Sequence, residues 1–406
     1  MRYLNNIDPE ISKFIDRERL RLEKGIELIP SENIVSKAVL EALGTELTNK
    51  YSEGYPGKRY YSGNEVIDEI EKLAIERAKK LFKCEHVNVQ PYSGTPANLE
   101  VYSALLNPGD KILSMSLAHG GHLSHGHKIT FSGKYYKIVN YGVEEDGYID
   151  YDKVKEIALK EKPRIIISGA SAYSREINFK KFNEIAKEVN AFSMADISHI
   201  AGLVATELHQ SPFPFTDVVT TTTHKTLRGP RGAIIMCKEE FAEKIDKAVF
   251  PGMQGGPHNN VNAAKAVAFR EALQPEFKIY CEQIIKNSKK LAQVLMDNSL
   301  KLVSNGTDNH LMLADVTSIN LTGKEAQDLL EKVEIYVNKN MIPYDKRNPL
   351  DPSGIRLGTP CVTTRGMKEN EMNLIGELIL DTLGNKKDSN KIKEKVNYLS
   401  KSFPIY

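Results

Sequence analysis

Cysteine is scarce: Cys84, Cys237, Cys281 and Cys361 are the only four in 406 residues. No two of them stand at metal-ligand spacing, and a chain of this length does not need a disulfide framework, so a reducing, cytosolic setting is expected. Net charge is scarce too. The formal value of +2 gives no electrostatic reason for nucleic acid or a membrane surface to be the main partner. No run of about 18 apolar residues occurs, so no spanning helix is expected. The opening MRYLNNIDPE carries acidic groups and no apolar core, unlike a signal or transit peptide. Internal repeats and low-complexity tracts are absent as well. What remains, 41% hydrophobic and 27% charged, is the composition of an ordinary soluble protein of two or three domains.

Periodicity organises that remainder. Ile7–Leu28 places Ile11, Phe14, Ile15 and Leu22 at helical spacing, with Asp8 as N-cap and Pro9 in the first turn. Glu65–Phe82 predicts an amphipathic helix with Val66, Ile70, Leu73, Ala74 and Leu81 on one face. From residue 87 to 236 strands and helices alternate. Strands are expected at Val87–Gln90, Lys111–Met115, Arg164–Ile167 and Ala191–Ala195 and in the apolar runs at Val218 and Ala233. Lys134–Val143 and Tyr148–Asp150 read as strand and hairpin. This alternation predicts an α/β domain with a largely parallel sheet. Beyond it lie a helix at Glu239–Val249, one long helical stretch from Asn260 to about Met296, and strands at His310–Val316, Ile335–Val337 and Ser353–Thr359. A solvated terminal helix is expected in Lys386–Tyr406.

Four stretches carry chemistry. Val218–Ile235, VVTTTTHKTLRGPRGAII, sets Lys225 between two core strands beside a run of hydroxyls. Either its stem is buried and its head reaches water, or it is a desolvated amine of lowered pKa, able to form a Schiff base. Asn49–Asn64, NKYSEGYPGKRYYSGN, has four tyrosines, three glycines and almost no aliphatics. It is a loose surface loop, or a binding or subunit-contact surface to which Glu53 and Arg59 add charge. Ser93, Gly94 and Thr95 lie between a strand and a helix, where backbone N–H groups meet an anion. His119–His127, HGGHLSHGH, holds four histidines. They are metal ligands or supply an imidazole for stacking, and the interrupting glycines and missing carboxylates favour stacking.

In a parallel sheet, ligands sit beyond the carboxyl ends of the strands. Ser93, His122, Ser171, Asp196 and Lys225 each follow a strand candidate, so one site can gather them. A phosphate anchor, a Schiff-base lysine and a carboxylate facing a ring nitrogen are what pyridoxal phosphate requires. Arg356 fits a substrate carboxylate.

The chain resembles the serine hydroxymethyltransferase family over nearly its whole length. The resemblance rests on LIPSEN (Leu28–Asn33), NKYSEGYPGKRYYSG (Asn49–Gly63), SGTPAN (Ser93–Asn98), AHGGHLSHG (Ala118–Gly126), SAYSR (Ser171–Arg175), DISHIAGL (Asp196–Leu203), TTTTHKTLRGPRG (Thr220–Gly232), PGMQGGP, NKN (Asn338–Asn340) and SGIRLGTP. It implies an aspartate-aminotransferase-like, fold type I architecture: an N-terminal helical arm over 1–48, a large pyridoxal-phosphate domain over 49–275 with a mostly parallel sheet flanked by helices, and a smaller C-terminal α/β domain over 276–406. It implies that Lys225 carries the cofactor, Asp196 pairs with its ring nitrogen and His122 stacks on it. Ser93, Gly94, Thr95 and His224 would hold the phosphate, joined from a neighbouring subunit by Tyr51 and the Gly255-Gly256 backbone. Ser171 and His199 would meet the ring oxygen, with Thr222 near the reacting centre. Ser31 and Arg356 would bind the substrate carboxylate. Glu53 and Tyr61, given across a homodimer, would serve the serine hydroxyl and the pterin. Tyr60, Leu117, Gly121, Leu123 and Asn340 would line the pterin pocket.

The implied reaction moves the serine hydroxymethyl group to tetrahydrofolate or a modified tetrahydropterin, leaving glycine; a tetramer is compatible with the pattern. Met253, where many members have glycine, and His258-Asn259-Asn260, in place of a more usual Leu-Met-His, depart from the family pattern near the expected interface. Rival readings are a pterin-independent threonine or allo-threonine aldolase, a metal-dependent hydrolase on the histidine run, and a silent scaffold.

Overall fold

The computed structural model describes residues 2–384 and 387–406. Its main element is a seven-stranded sheet built from β1 (His86–Asn88), β2 (Lys111–Met115), β3 (Lys137–Tyr141), β4 (Ile165–Ser168), β5 (Phe192–Asp196), β6 (Val218–Thr222) and β7 (Ala233–Cys237). The spatial order is β1-β7-β6-β5-β4-β2-β3. Strands β3, β2, β4, β5 and β6 run parallel. β7 is antiparallel to both neighbours, so β1 again points the same way as β6. The strands are apolar on both faces because both are covered. Ile165, Ile167, Met194 and Val218 face one core layer, whereas Ile166, Ala195 and Val219 face the other.

A second, four-stranded antiparallel sheet is formed by β8 (Lys301–Leu302), β9 (Leu311–Asp315), β10 (Asn338–Asn340) and β11 (Gly354–Gly358), in the order β8-β9-β11-β10. It has its own core, which includes Met312, Ala314, Ile355, Leu357 and Ile375 and takes in Ile26 and Leu28 from the N-terminal segment.

Several expected elements are subdivided, each for a local reason. The N-terminal stretch is a short helix, Arg2–Ile7, followed by Pro9–Lys24, which Asp8 caps by accepting from Ile11 N–H at 3.0 Å. The longer helix stops at Gly25, where a Cβ would lie 2.3 Å from the Tyr336 ring. The stretch from Asn260 is two helices, Asn259–Ala272 and Pro275–Asp297, because Pro275 has no N–H to continue the first. Lys134–Val143 is not one strand: the end of helix Phe131–Tyr135 precedes β3, and Tyr148–Asp150 belongs to a turn closed by Glu144 N–H to Tyr148 O at 2.8 Å. Glu239–Val249 is a short 3₁₀ turn followed by helix Ala242–Lys247. The terminal helix spans Ser389–Ser402, while Lys386 lies outside the described residues.

The helix Glu65–Phe82 forms as expected and buries Ala74 and Leu81 of the expected face, but the buried face is rotated from the one expected. Ile67, Glu71, Ala74, Ala78 and Leu81 are inside, and Val66 and Leu73 are exposed. The buried Glu71 meets a partner from the tyrosine-rich loop. Arg59, the charge expected at a binding surface, is itself buried. Its guanidinium donates to Asp68 at 2.8 Å, to Glu71 at 2.7 Å and to the carbonyls of Ser52 and Gly54, each at 2.8 Å. Glu71 therefore has a charged partner on the inner face, beside Ala74, Ala78 and Leu81 in the core.

Candidate active site

A cavity of about 590 Å³ opens beyond the carboxyl ends of the large sheet and is closed from the other side by the small one. Five of the seven strands supply walls at their carboxyl ends. Ser93, Gly94 and Thr95 follow β1. Leu117, Gly121, His122 and Leu123 follow β2, and Ser171 follows β4. Asp196 ends β5, with His199 just beyond. Thr222, His224 and Lys225 lie at the end of β6. Ser31 enters from the N-terminal loop, and Asn340 and Arg356 come from β10 and β11.

The hydroxyl run before Lys225 is largely spent on structure. Thr220 Oγ1 donates to Asn98 Oδ1 at 2.7 Å, Thr221 to the Thr222 carbonyl at 2.9 Å, and Thr223 to Pro230 O at 2.6 Å. The strand end is therefore tied inward, and the lysine is delivered from a rigid base. Asn33 holds it from below, donating to the Lys225 carbonyl at 2.9 Å and to Tyr280 Oη at 2.7 Å. Burial lowers the Lys225 amine to about 8; Asp196 opposes the shift, while Arg356 and Arg231 add to it. Lys225 is 8% exposed, as the desolvated-amine reading expects.

Asp196 is the opposite case. Burial, the largest single influence, would raise its carboxyl, but His125 Nε2 at 2.9 Å, the nearby His122 ring and Asn98 together outweigh it. Asn98 donates from Nδ2 at 2.9 Å and Ser198 from its N–H at 3.0 Å, and the group is held well below the usual carboxylate range. The group stays ionised inside the protein.

His122 Nδ1 is engaged by Ser124, 2.7 Å from its Oγ, and burial and His125 bring the ring down to about 4. His224 falls to about 3 through burial, Lys225 and Arg231. Both are neutral rings. Arg356 donates from Nη1 to the Ser171 carbonyl at 2.5 Å and from Nε to Asn338 Oδ1 at 3.0 Å. One end of its guanidinium remains directed at the cavity.

The histidine run does not gather. His119 Nδ1 accepts from Val143 N–H at 3.0 Å and meets Tyr344 edge-on, His122 faces the cavity, and His125 serves Asp196. Among the described residues, no three His, Cys, Asp or Glu side chains stand where they could share a metal ion.

Tyr51, Glu53, Tyr60, Tyr61, Gly255 and Gly256 do not line this cavity. They form a cluster of their own. The Tyr51 and Tyr61 rings are 5.2 Å apart. A Cβ on Gly256 would lie 3.3 Å from Tyr51, and one on Gly255 would lie 3.3 Å from Glu53 Oε1. Tyr51, Tyr60 and Tyr61 are all exposed, Tyr60 at 73%.

Several residues to which the motifs assign no role join the site, although all but His310 fall inside the motifs quoted above. Arg231 and Lys339 line the cavity, and Asn98 and His125 hold Asp196. His310 lies behind His199. Asn98 has a usable signal, since it stands three residues after Thr95 on the same helix face. His310 has none, because nothing local relates it to His199.

The fold defines a class: a large α/β protein with a mixed sheet, consistent with the fold type I architecture. A model of the serine hydroxymethyltransferase family matches residues 4–379, and the chain belongs to that family. It is a pyridoxal-phosphate-dependent transferase that interconverts serine plus tetrahydrofolate with glycine plus methylene-tetrahydrofolate. None of the described helices is long and apolar enough to cross a membrane.

Proposed function

We propose that the cavity at Lys225 is where this reaction takes place. The observation that carries the reading is the convergence of a desolvated lysine, an ionised buried carboxylate and a helix N-terminus on one space. The residues fit the cofactor. Ser93 makes no capping bond with its side chain, so its hydroxyl and the first N–H groups of helix Gly94–Leu105 are free for a phosphate. His224 Nδ1 is buried and unpaired. A Cβ on Gly94 would come within 2.7 Å of Thr222 Cγ2, closing the space.

On this reading Ser93, Gly94, Thr95 and His224 hold the phosphate, Lys225 the reactive carbon, and Asp196 the pyridine nitrogen. His122 covers the ring face, and Ser171 and His199 meet the ring oxygen. The bound cofactor supplies an electron sink for charge developing on the amino acid's α-carbon. Arg356 and Ser31 fix the α-carboxylate, and Thr222 packs beside the reacting centre. Glu53 exchanges a proton with the serine hydroxyl, with Tyr61 beside it. The exposed Leu117 and Leu123 offer apolar surface to a flat pterin, joined by Gly121, Asn340 and Tyr60.

Because the cluster of Tyr51, Glu53, Tyr60, Tyr61 and Gly255-Gly256 lies outside its own cavity, we assign it to the cavity of a second subunit, in a homodimer with shared sites. The exposed Ile11, Phe14 and Leu20 on the N-terminal helix give such a pair an apolar surface to cover. The four free cysteines support a reducing cytoplasm as its setting.

The test is glycine formation from serine by cofactor-loaded enzyme, with and without tetrahydrofolate. A rate that depends on the pterin is expected. Equal rates in its absence would shift the assignment to an aldolase, and a modified tetrahydropterin that outperforms tetrahydrofolate would redefine the carrier.

A further inference from the structure

His310 is fully buried, immediately before β9, and its Nε2 lies 3.2 Å from His199 Nδ1. Its other nitrogen, Nδ1, is buried without any hydrogen-bond partner. Neutral imidazole carries one donor and one acceptor, so a single proton bridges the two rings. Two arrangements satisfy this. If His199 donates, His310 must carry its own proton on Nδ1, leaving a buried N–H with no acceptor. If His310 donates, its Nδ1 is a bare lone pair. Buried orphan N–H groups are the rarer and costlier of the two, so the second arrangement holds. Double protonation is disfavoured for both rings. Burial, Arg356 and Lys225 push His310 to about 3, and burial and Lys225 push His199 well below its ordinary value.

We infer that His310 is a positioning residue that fixes His199 as the Nε2–H tautomer, so that His199 presents a hydrogen-bond donor to the cavity. With Nδ1 engaged, Nε2 is the nitrogen left for a ligand, and His199 lines the cavity. A donor suits an anionic oxygen there; that this oxygen belongs to the cofactor ring rests on the function proposed above. The geometry also explains why the donor comes from two sheets. Leu313 on β9 pairs with Arg356 on β11, and Thr359 N–H donates to the His310 carbonyl at 3.1 Å. The strand pair that brings Arg356 to the cavity therefore brings His310 to His199, so docking of the small sheet sets both.

The experiment is ¹⁵N-histidine NMR of the wild-type enzyme, with and without pyridoxal phosphate, assigned with His199→Asn and His310→Gln. In both states His199 is expected to show a pyrrole-type Nε2 and a pyridine-type Nδ1. His310→Gln, which keeps an N–H donor near the same point, should preserve this pattern. His310→Phe should lose it and hold pyridoxal phosphate about tenfold less tightly, the worth of one hydrogen bond to a charged group. A His199 protonated on Nδ1 in the wild type, or shifts unchanged in His310→Phe, overturns the inference. If the phenylalanine variant does not fold, the wild-type spectrum alone still decides between the two tautomers. Failure of the wild type to bind pyridoxal phosphate would sink the proposed function instead, and leave the tautomer result standing.

Discussion

Replacing Arg59 with methionine keeps the bulk of the side chain and removes its charge. Arg59 is 4% exposed at its side chain and donates to two carboxylates and two carbonyls. The main casualty is Glu71, 2% exposed, whose remaining partner is Gln90 at 2.8 Å. Burial already pushes this carboxyl up with Arg59 in place. Without Arg59 it must protonate, which at pH 7 costs at most about 3.7 kcal/mol at about 1.4 kcal/mol per pKa unit, and about 3 kcal/mol beyond the wild type, whose carboxyl is already raised. The abandoned Ser52 and Gly54 carbonyls add about 1 kcal/mol or more. The sum, about 4 kcal/mol, lies in the range expected when one partner leaves a buried ion pair. The loss should be local to the loop carrying Tyr51, Glu53, Tyr60 and Tyr61. Hydrogen exchange at the Tyr60 amide, bonded to Glu53 O at 3.0 Å, should therefore quicken about 1,000-fold. Arg59→Lys should fall between, since one ammonium cannot serve four acceptors. Exchange within about tenfold of wild type in Arg59→Met would refute the reasoning, because that is only about 1.4 kcal/mol.

Three further outcomes are expected. In cofactor-free enzyme, reaction of Lys225 with a small aldehyde should accelerate about tenfold per pH unit below its value of about 8 and level off above it; a surface lysine would keep accelerating towards pH 10, and a profile of that kind counts against burial of the amine. Asp196→Asn places an amide among the donors of His125, Asn98 and Ser198; serine turnover should drop about 100-fold or more, the worth of one or two charge-assisted bonds, and unchanged kcat would remove Asp196 from the site. Gly121→Ala sets a Cβ 2.1 Å from the Met115 carbonyl oxygen; a loss of about 1–3 kcal/mol with weakened cofactor retention, read by urea unfolding and by dialysis, is expected.

Much of the fold is legible in the sequence because the parallel strands are apolar on both faces and punctuated by site loops. Val218–Ile235 announces its buried strand ends and its lysine together. The motifs find the cavity for the same reason: Ser93, His122, Ser171, Asp196 and Lys225 each follow a strand, and the strands point one way. What local pattern does not show depends on distant groups. The Glu65–Phe82 helix carries apolar residues on more than one face, and its inner face includes a charged residue, Glu71, whose partner Arg59 comes from the loop before it. The break at Pro275 is masked because apolar periodicity continues across it. Arg59 reads as surface charge because no spacing rule reveals a carboxylate twelve residues away on a helix. The His199–His310 contact joins residues 111 apart, beyond the reach of any periodicity.

The cluster of Tyr51, Glu53 and Tyr61 outside the cavity has a genetic consequence. If it serves a neighbouring subunit, each polypeptide encodes two half-sites that never meet within one molecule. Two inactive alleles, one lacking Lys225 and the other lacking Glu53, should then rescue each other when co-expressed. In a mixed pair, one site draws its lysine from the second product and its glutamate from the first. Selection would act on matched surfaces of two copies, and a defective copy could spoil the site of a sound one.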